Sequence, residues 1–294
     1  MGAEPRFGRV LTAMVTPFTP AGEVDLEAGR SLARHLVDEV AHDGLVLNGT
    51  TGESPTTSDD EKVALVEAVV AEVGDRATVV AGVGTPDTRH TVRLAERCAA
   101  AGADGLLAVT PYYSKPPQSG LRAHFRTVAD ATDVPVMLYD IPHRTGVALS
   151  TETLVELAEH PRIVAVKDAK GDLAASAAVI ARTDLACYSG EDALTLPLLA
   201  VGAVGVVGTS THFCGAAVAH MIEAYLAGDV ATALKVHQQL LPLFTGIFAT
   251  QGCILVKAGL ALRGRDVGGL RSPLPTATPA EVDALSAVLT IAGV

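Results

Sequence analysis

The sequence has few of the residues that build disulfide frameworks and metal centres. It contains no Trp and four cysteines, Cys98, Cys187, Cys214 and Cys253, which are far apart and form no CxxC pair or Cys/His cluster. The nine histidines are scattered, without HxH or HExxH spacing. These patterns indicate neither a disulfide framework nor a zinc site, so we expect buried thiols and assign no histidine to catalysis or metal binding.

Basic residues are also scarce. The chain has 22 Lys and Arg against 33 Asp and Glu, a formal net charge of -11 and a pI near 5.2. Nucleic acids and anionic membranes require clustered cations, so both are disfavoured as partners. Gly or a charge interrupts every apolar run before membrane-spanning length, and "MGAEPRFGRVLTAMVTPF" lacks the pattern of a secretory signal. We therefore expect a soluble cytoplasmic protein that acts on small molecules.

Eight short apolar runs alternate with longer amphipathic segments. The runs are "RVLTAMVTP", "GLVLNG", "ATVVAGVG", "DGLLAVTP", "PVMLYD", "RIVAVKD", "LACYSG" and "AVGVVG". They lack strict apolar and polar alternation, which is typical of parallel strands covered by helices on both faces. Between them lie helical patterns such as "SDDEKVALVEAVVAEV", which begins with Ser58 followed by acids, as a helix N-terminus should.

Eight βα units predict an α/β fold of the (β/α)8 TIM-barrel type. A doubly wound sheet would normally carry a Gly-rich phosphate loop after its first strand, whereas "TPFTPAG" follows here. We assign residues 1–225 to the barrel and residues 226–294 to an appended helical extension of two or three helices.

Polar side chains cluster at the ends of the predicted strands. The segments are "NGTTGES", "TPYYSKPP", "YDIPHRTG", "KDAKGD", "YSGED" and "GVVGTS". In barrels of this type the chemistry lies at the carboxyl ends of the strands, where the βα loops converge. We therefore expect one mouth to receive the side chains of Thr50, Thr51, Tyr112, Tyr113, Tyr139, Arg144 and Lys167.

Lys167 is the strongest candidate among them, because the apolar run "IVAV" leads directly into it. Burial would lower the pKa of its amine and favour the neutral form, which is the form that attacks a ketone. The alternative is a strand-end lysine that reaches solvent or pairs with Asp168. Lys170 lies in the following Gly-containing loop, and we interpret it as a solvated residue.

The other candidates each have an ordinary alternative as well. The Tyr139 phenol closes the neighbouring strand and could donate and accept a proton, or it is simply a tyrosine at the barrel rim. Thr50 and Thr51, flanked by glycines, could bind a small carboxylate or cap a turn. Arg144 could hold a carboxylate bidentately or form a surface salt bridge. The paired tyrosines of "PYYSKPP" could equally serve packing.

Taken together and in this order, "GTTGES", "TPYYSKPP", "YDIPHRTG", "AVKDAKGDL", "YSGED" and "GAVGVVG" resemble the dihydrodipicolinate synthase family, in its actinobacterial branch. "GTTGE" alone would indicate only the wider superfamily of pyruvate-dependent aldolases. Arg144 within "RTG" narrows the assignment, because relatives that cleave sialic acid or keto-deoxy sugar acids usually lack it.

The resemblance implies a lyase of lysine and diaminopimelate biosynthesis, with a role for each candidate. Lys167 would form a Schiff base with pyruvate, and the enamine would attack L-aspartate 4-semialdehyde. The hydroxyl relay would comprise Tyr139, Thr50 and Tyr113, the last reaching across a tight dimer. Pyruvate and semialdehyde contacts would come from Thr51, Arg144, the backbone of Val207 and Gly190.

The resemblance also implies no metal or organic cofactor and a homotetramer built as a dimer of dimers. Two alternatives are another Schiff-base aldolase acting on a 2-oxo acid, and a non-catalytic barrel that binds pyruvate. If Arg144 faces the cavity, the condensing enzyme is favoured over an aldolase that acts on another 2-oxo acid. A non-catalytic barrel is disfavoured because a binding module needs no proton relay, whereas this sequence has four candidate catalytic residues: Lys167, Tyr139, Thr50 and Tyr113.

Lysine regulation is where this sequence departs from regulated relatives, which place histidine, asparagine and glutamate in an interface pocket. At the matching positions we identify Asp59, Lys62, Pro86 and His90. Pro86 removes an amide and Lys62 repels a cationic effector, so we predict weak or absent feedback by lysine. The segment "GVVGTSTHF" also differs from the family's common "GVISV".

Overall fold

Eight parallel strands close into a barrel in the computed structural model, which describes residues 3–294. Each strand pairs with its neighbour in sequence, and the eighth pairs with the first. The strands are β1 Val10–Ala13, β2 Gly44–Leu47, β3 Thr78–Gly82, β4 Gly105–Val109, β5 Val136–Asp140, β6 Ile163–Asp168, β7 Ala186–Ser189 and β8 Gly205–Gly208. Every predicted run contains one of them, so the (β/α)8 fold is confirmed.

Helices follow the strands and surround the barrel. They are α1 Leu26–Asp38, α2 Asp59–Val73, α3 Thr88–Ala100, α4 Gln118–Asp130, α5 Pro142–Thr145, α6 Thr151–Ala158, α7 Leu173–Ile180, α8 Thr195–Ala200, α9 Thr211–Leu226, α10 Val230–Gly246, α11 Gly252–Leu262 and α12 Pro279–Ala292. The predicted start of α2 is confirmed, because the Ser58 hydroxyl accepts the Glu61 amide and the Glu61 carboxylate accepts the Ser58 amide.

Two hydrophobic cores lie on opposite sides of the sheet. The inner core fills the barrel with residues such as Leu11, Met137 and Val207. The outer core lies between strands and helices and includes Leu138 and Val166. Both faces of each strand are therefore buried, which explains the absence of apolar and polar alternation.

The strand register brings the two strongest candidates together. Tyr139 is the Cα partner of Lys167, and Asp140 is the partner of Asp168. Successive side chains of a strand point to opposite faces. Tyr139 packs in the inner core, and Lys167, two residues beyond the inner-core Ala165, shares its side of the sheet.

In the C-terminal part, α10 packs against α9 and α12, and α12 also packs against α11. Three helices thus follow the barrel, although the division at residue 225 itself stays a prediction. All four cysteines are buried and unpaired, as predicted. Within residues 3–294, no helix has both the length and the apolar character needed to cross a membrane.

Candidate active site

A cavity of about 210 Å³ opens at the carboxyl ends of the strands. Its wall includes Thr50, Thr51, Tyr139, Arg144, Lys167 and Gly190. A second cavity of about 230 Å³ adjoins it and shares Thr50, Tyr139 and Arg144. The structure therefore brings six of the eight predicted site residues to one place and leaves Tyr113 and Val207 out.

Lys167 is buried at the base of the first cavity, with 5% of its surface exposed. The pKa of its amine is lowered to about 8: burial is the main cause, the carboxylates of Asp192 and Glu191 oppose it, and the charge of Arg144 adds to it. A Cβ at position 190 would lie 3.0 Å from Cγ of Lys167, so a larger residue there would crowd the lysine side chain. The surroundings thus favour a neutral amine, and the pairing with Asp168 considered from the sequence is not formed.

Tyr139 lies beside that amine. The Nζ atom of Lys167 is 4.4 Å from the centroid of the Tyr139 ring. Burial raises the pKa of the phenol, while the charge of Arg144 and a hydrogen bond with the Thr50 side chain act in the opposite direction. At neutral pH the phenol therefore keeps its proton and can donate it to an oxygen bound next to Lys167.

Thr51 faces the end of β8 across the cavity. Its hydroxyl is 3.3 Å from the hydroxyl of Thr209, which also lines the cavity. Val207 instead packs in the inner core, 1% exposed and paired with Leu11 of β1. The side chain of Thr209 therefore lines the cavity at the end of β8, and the contact expected from the backbone of Val207 stays a prediction.

Arg144 stands at the entrance, on the short helix α5. Pro142 begins this helix and Gly146, with φ of 78°, ends it. Among residues 3–294, no carboxylate forms an ion pair with Arg144, whereas most other arginines of the molecule have one. The guanidinium is thus free to receive an anion that enters the cavity.

The two adjacent tyrosines differ in position. Tyr112 lines the second cavity. Tyr113 is 93% exposed and has φ of 69°, in the left-handed region that non-glycine residues rarely adopt. The backbone therefore turns the Tyr113 side chain away from the cavity of its own chain.

Three further residues in or beside the Lys167 cavity were not identified from the sequence. Glu191 and Gln251 line the Lys167 cavity. Asp192 is fully buried next to it, accepts the amides of Thr209 and Ser210, and has a pKa raised to about 6 by burial. The two acids of "YSGED" were a signal in the sequence for Glu191 and Asp192. Gln251 had none, because it belongs to the C-terminal extension.

Lys170 is not the solvated residue predicted from the sequence. Its side chain is 7% exposed, and its Nζ atom lies 3.4 Å from Oδ2 of Asp140 and 3.9 Å from Oδ2 of Asp168. The register explains this, because Asp140 and Asp168 end adjacent strands side by side. Two buried carboxylates in contact require a cation, and Lys170 supplies it.

A third cavity, of about 490 Å³, lies beside Tyr112 and contains the four positions discussed for lysine regulation. Its two acids are already paired, Asp59 with His90 at 2.8 Å and Asp60 with Arg97 at 2.6 Å. The buried Lys62 donates from Nζ to the carbonyl of Thr57, and burial lowers its pKa.

Within residues 3–294, no group of three or more His, Cys, Asp and Glu side chains is arranged to hold a metal ion. The cavity instead combines a buried amine, a protonated phenol and a free guanidinium. This set can form an imine with a carbonyl compound, move the protons that this requires, and bind a carboxylate at the entrance.

Known proteins resemble this chain over nearly its full length. Residues 6–292 match the model of the dihydrodipicolinate synthetase family. A 4-hydroxy-tetrahydrodipicolinate synthase of Acidothermus cellulolyticus is 65% identical over 98% of this chain and 93% of that protein. The second such synthase of Streptomyces coelicolor is 59% identical over 98% of this chain and 96% of that protein.

Solved structures of dihydrodipicolinate synthases also resemble this chain over nearly its full length. A dihydrodipicolinate synthase of Bacillus anthracis superposes with a TM-score of 0.94 at 41% identity and covers 97% of this chain and 98% of its own. The enzyme of Cyanidioschyzon merolae, crystallised with lysine bound, has a TM-score of 0.96 at 42% identity and covers 99% of both chains. The family and actinobacterial resemblance predicted from the sequence motifs is thereby confirmed, and this chain belongs to the dihydrodipicolinate synthetase family.

Proposed function

We propose that this chain is a 4-hydroxy-tetrahydrodipicolinate synthase, a lyase of lysine and diaminopimelate biosynthesis that condenses pyruvate with L-aspartate 4-semialdehyde. The observation that carries the proposal is the buried Lys167 amine, with a pKa of about 8, in contact with Tyr139 in a cavity entered past Arg144. The identity of 65% to a synthase of this name over nearly the full length supports the same conclusion.

The first half of the reaction takes place on Lys167. Its neutral amine attacks the C2 carbonyl of pyruvate, and Tyr139 protonates the carbonyl oxygen to give a carbinolamine. A second protonation of that oxygen expels water and leaves an iminium ion. Loss of a proton from the pyruvate methyl group then yields the enamine nucleophile.

The second half joins the two substrates. The enamine carbon attacks the aldehyde of the semialdehyde, whose carboxylate binds Arg144. The alkoxide that this forms takes up a proton, the amino group of the semialdehyde adds to C2 and closes the ring, and departure of the Lys167 amine releases the hydroxylated heterocycle and frees the enzyme. Thr50 passes protons to and from Tyr139, and Thr51, Gly190 and the backbone near Val207 bind the pyruvate carboxylate.

A dimer of dimers is part of the proposal. Tyr113 is 93% exposed, so its phenol can complete the relay only in the cavity of another subunit. An aromatic side chain that projects from a Pro-rich loop is well suited to enter a neighbouring subunit. A cytoplasmic location is supported by four buried and unpaired cysteines, since reducing compartments keep thiols free.

Trapping with borohydride tests the reaction. The protein is incubated with pyruvate and reduced with borohydride, and its mass is then measured by mass spectrometry. Peptide mapping locates the adduct, and turnover of the semialdehyde is measured in parallel. We expect a single pyruvate adduct on Lys167, its absence in Lys167→Ala, and rapid consumption of semialdehyde. An adduct without semialdehyde turnover would indicate an aldolase for another acceptor, and no adduct on Lys167 would refute the Schiff-base mechanism.

A further inference from the structure

The loop that carries Thr50 and Thr51 is held at its far end by Glu53. This residue has φ of 55°, in the left-handed region, and its amide donates to the carbonyl of Thr50 over 3.2 Å. The Glu53 side chain is fully buried. A buried carboxylate must be matched by a cation or by donors, and here the ion-pair partner Lys257 and the donating amide of Arg271 both belong to the C-terminal extension.

Lys257 of α11 provides the charge. Its Nζ atom is 2.7 Å from Oε1 of Glu53, and its side chain is 3% exposed. The same ammonium donates to the carbonyl of Gly269 over 2.6 Å and lies 4.2 Å from the centroid of the Phe18 ring. Each side of the Lys257 ammonium thus has a partner, which leaves little freedom for Glu53 to move.

Arg271 provides the second attachment. Its amide donates to Oε2 of Glu53 over 3.0 Å, and its guanidinium donates to the carbonyl of Thr56 and to the carboxylate of Glu61. The C-terminal segment therefore binds the loop that follows β2, here called the β2 loop, from Glu53 to the first turn of α2. Gln251 and Gly252, at the start of the helix that bears Lys257, line the Lys167 cavity.

We propose that Lys257 is a positioning residue for the condensation: through Glu53 it holds Thr50 and Thr51 at the distance from Lys167 and Tyr139 that pyruvate binding and proton transfer require. The inference rests on the proposed function and deepens it, since it makes the helical extension part of the active site. Lys257 touches no substrate and acts only through the loop.

The decisive variant is Lys257→Met, which keeps the length of the side chain and removes the charge. We measure the pyruvate concentration that half-saturates borohydride trapping on Lys167, together with KM for pyruvate and kcat. A displaced Thr51 should raise the half-saturating concentration and KM for pyruvate about tenfold to a hundredfold, and a displaced Thr50 should lower kcat. Lys257→Arg, which can still reach the Glu53 carboxylate, should stay within about threefold of the wild type.

Arg265→Met is the matched control. Arg265 also belongs to the C-terminal segment and pairs with a carboxylate of the barrel, Glu39, at 2.8 Å, but it has no contact with the β2 loop. This variant should keep wild-type trapping and turnover. All proteins are assayed well below their unfolding temperatures, so that a loss of stability alone moves neither KM nor half-saturation.

Each outcome separates the two proposals. Wild-type half-saturation and kcat in folded Lys257→Met would overturn the positioning role while the wild-type enzyme still traps pyruvate. A wild-type enzyme that fails to trap pyruvate would instead overturn the proposed function. If Lys257→Met does not fold, Glu53→Gln replaces it, because the amide keeps an acceptor for Arg271. An unchanged half-saturation in that variant would equally refute the inference.

Discussion

The Lys167 amine owes its reactivity to its surroundings rather than to its own chemistry. The apolar run before it predicted a lowered pKa, and burial in the structure lowers that pKa to about 8. At pH 7.5 about a quarter of the amine is then neutral, against about a thousandth for an unperturbed lysine. The local sequence thus indicated the direction of the shift, and the structure decided against the alternative of a lysine that reaches solvent.

The pH dependence of trapping follows from this shift. Because the neutral amine is the nucleophile, the rate of Schiff-base formation should rise about tenfold per pH unit below 8 and level off above it. Glu191→Gln removes a charge that raises the pKa and should move the inflection to lower pH. An inflection near 10 in the wild type would contradict the buried environment.

Lys170 shows the opposite case, in which a neighbouring strand decided the outcome. Lys170→Met would leave Asp140 and Asp168 buried together without a cation, so we expect a loss of about 3–5 kcal/mol in the free energy of unfolding. Urea denaturation measures it. Lys235→Met, at an exposed position of α10, should change the free energy by less than about 0.5 kcal/mol. Equal stability of the two variants would disprove the structural role of Lys170.

At the scale of elements, α5 presents Arg144 to the cavity. A planar guanidinium can bind a carboxylate through two parallel hydrogen bonds, which a lysine of equal charge cannot do. Arg144→Lys should therefore raise KM for the semialdehyde about tenfold to a hundredfold and leave pyruvate trapping nearly unchanged. Steady-state kinetics with each substrate varied in turn provides the measurement.

The control for this change lies on α4. Arg126→Lys alters an arginine that is half-exposed and pairs with Glu159, away from both cavities. The Arg126→Lys variant should keep the wild-type kcat and the wild-type KM for both substrates. A KM for the semialdehyde that is equally insensitive to Arg144→Lys would remove Arg144 from substrate binding and favour a different acceptor.

Helices and strands could be predicted where the residues that determine them are close together in the sequence. The strands were recognisable because both of their faces are buried, and the start of α2 because its cap lies within four residues. The contacts between the C-terminal extension and Glu53 were not recognisable, because Arg271 and Glu53 are 218 residues apart in the chain. Nothing near either residue reveals its partner.

At the scale of the whole molecule, the exposed Tyr113 predicts that active sites are shared between subunits. Tyr113→Phe and Lys167→Ala should each be nearly inactive, since each removes a group from every site. In mixed dimers, one site combines Lys167 from one parent with Tyr113 from the other. Random reassociation should therefore restore about a quarter of wild-type activity, as general acid catalysis is regained at one site in four.

Reassociation of the two variants after mild dissociation, followed by the turnover assay, tests this expectation. Mixing Lys167→Ala with Lys167→Arg, which lack the same group, is the control and should restore nothing. Failure of the first mixture to recover activity, despite mixed dimers detected by native mass spectrometry, would mean that Tyr113 does not act across the interface.

The response to lysine is a second property that can be predicted at this scale. In the cavity beside Tyr112, Asp59 and Asp60 are already paired, and Lys62 presents a cation. A lysine effector would meet repulsion and no free carboxylate there, so activity should change little at millimolar lysine. Assays across a lysine titration measure this, and strong inhibition in that range would show that the prediction is wrong.

The sequence by itself determined the barrel and most of its mouth. Eight apolar runs without alternation specify parallel strands, and parallel strands bring their carboxyl ends together, so Lys167, Tyr139, Thr50 and Arg144 had to converge. Three features became visible only in the folded chain: the side chain of Lys170 is buried beside Asp140, Thr209 lines the cavity, and Lys257 pairs with Glu53. These features depend on pairs of residues distant in the chain or on the register between strands, which no local pattern encodes.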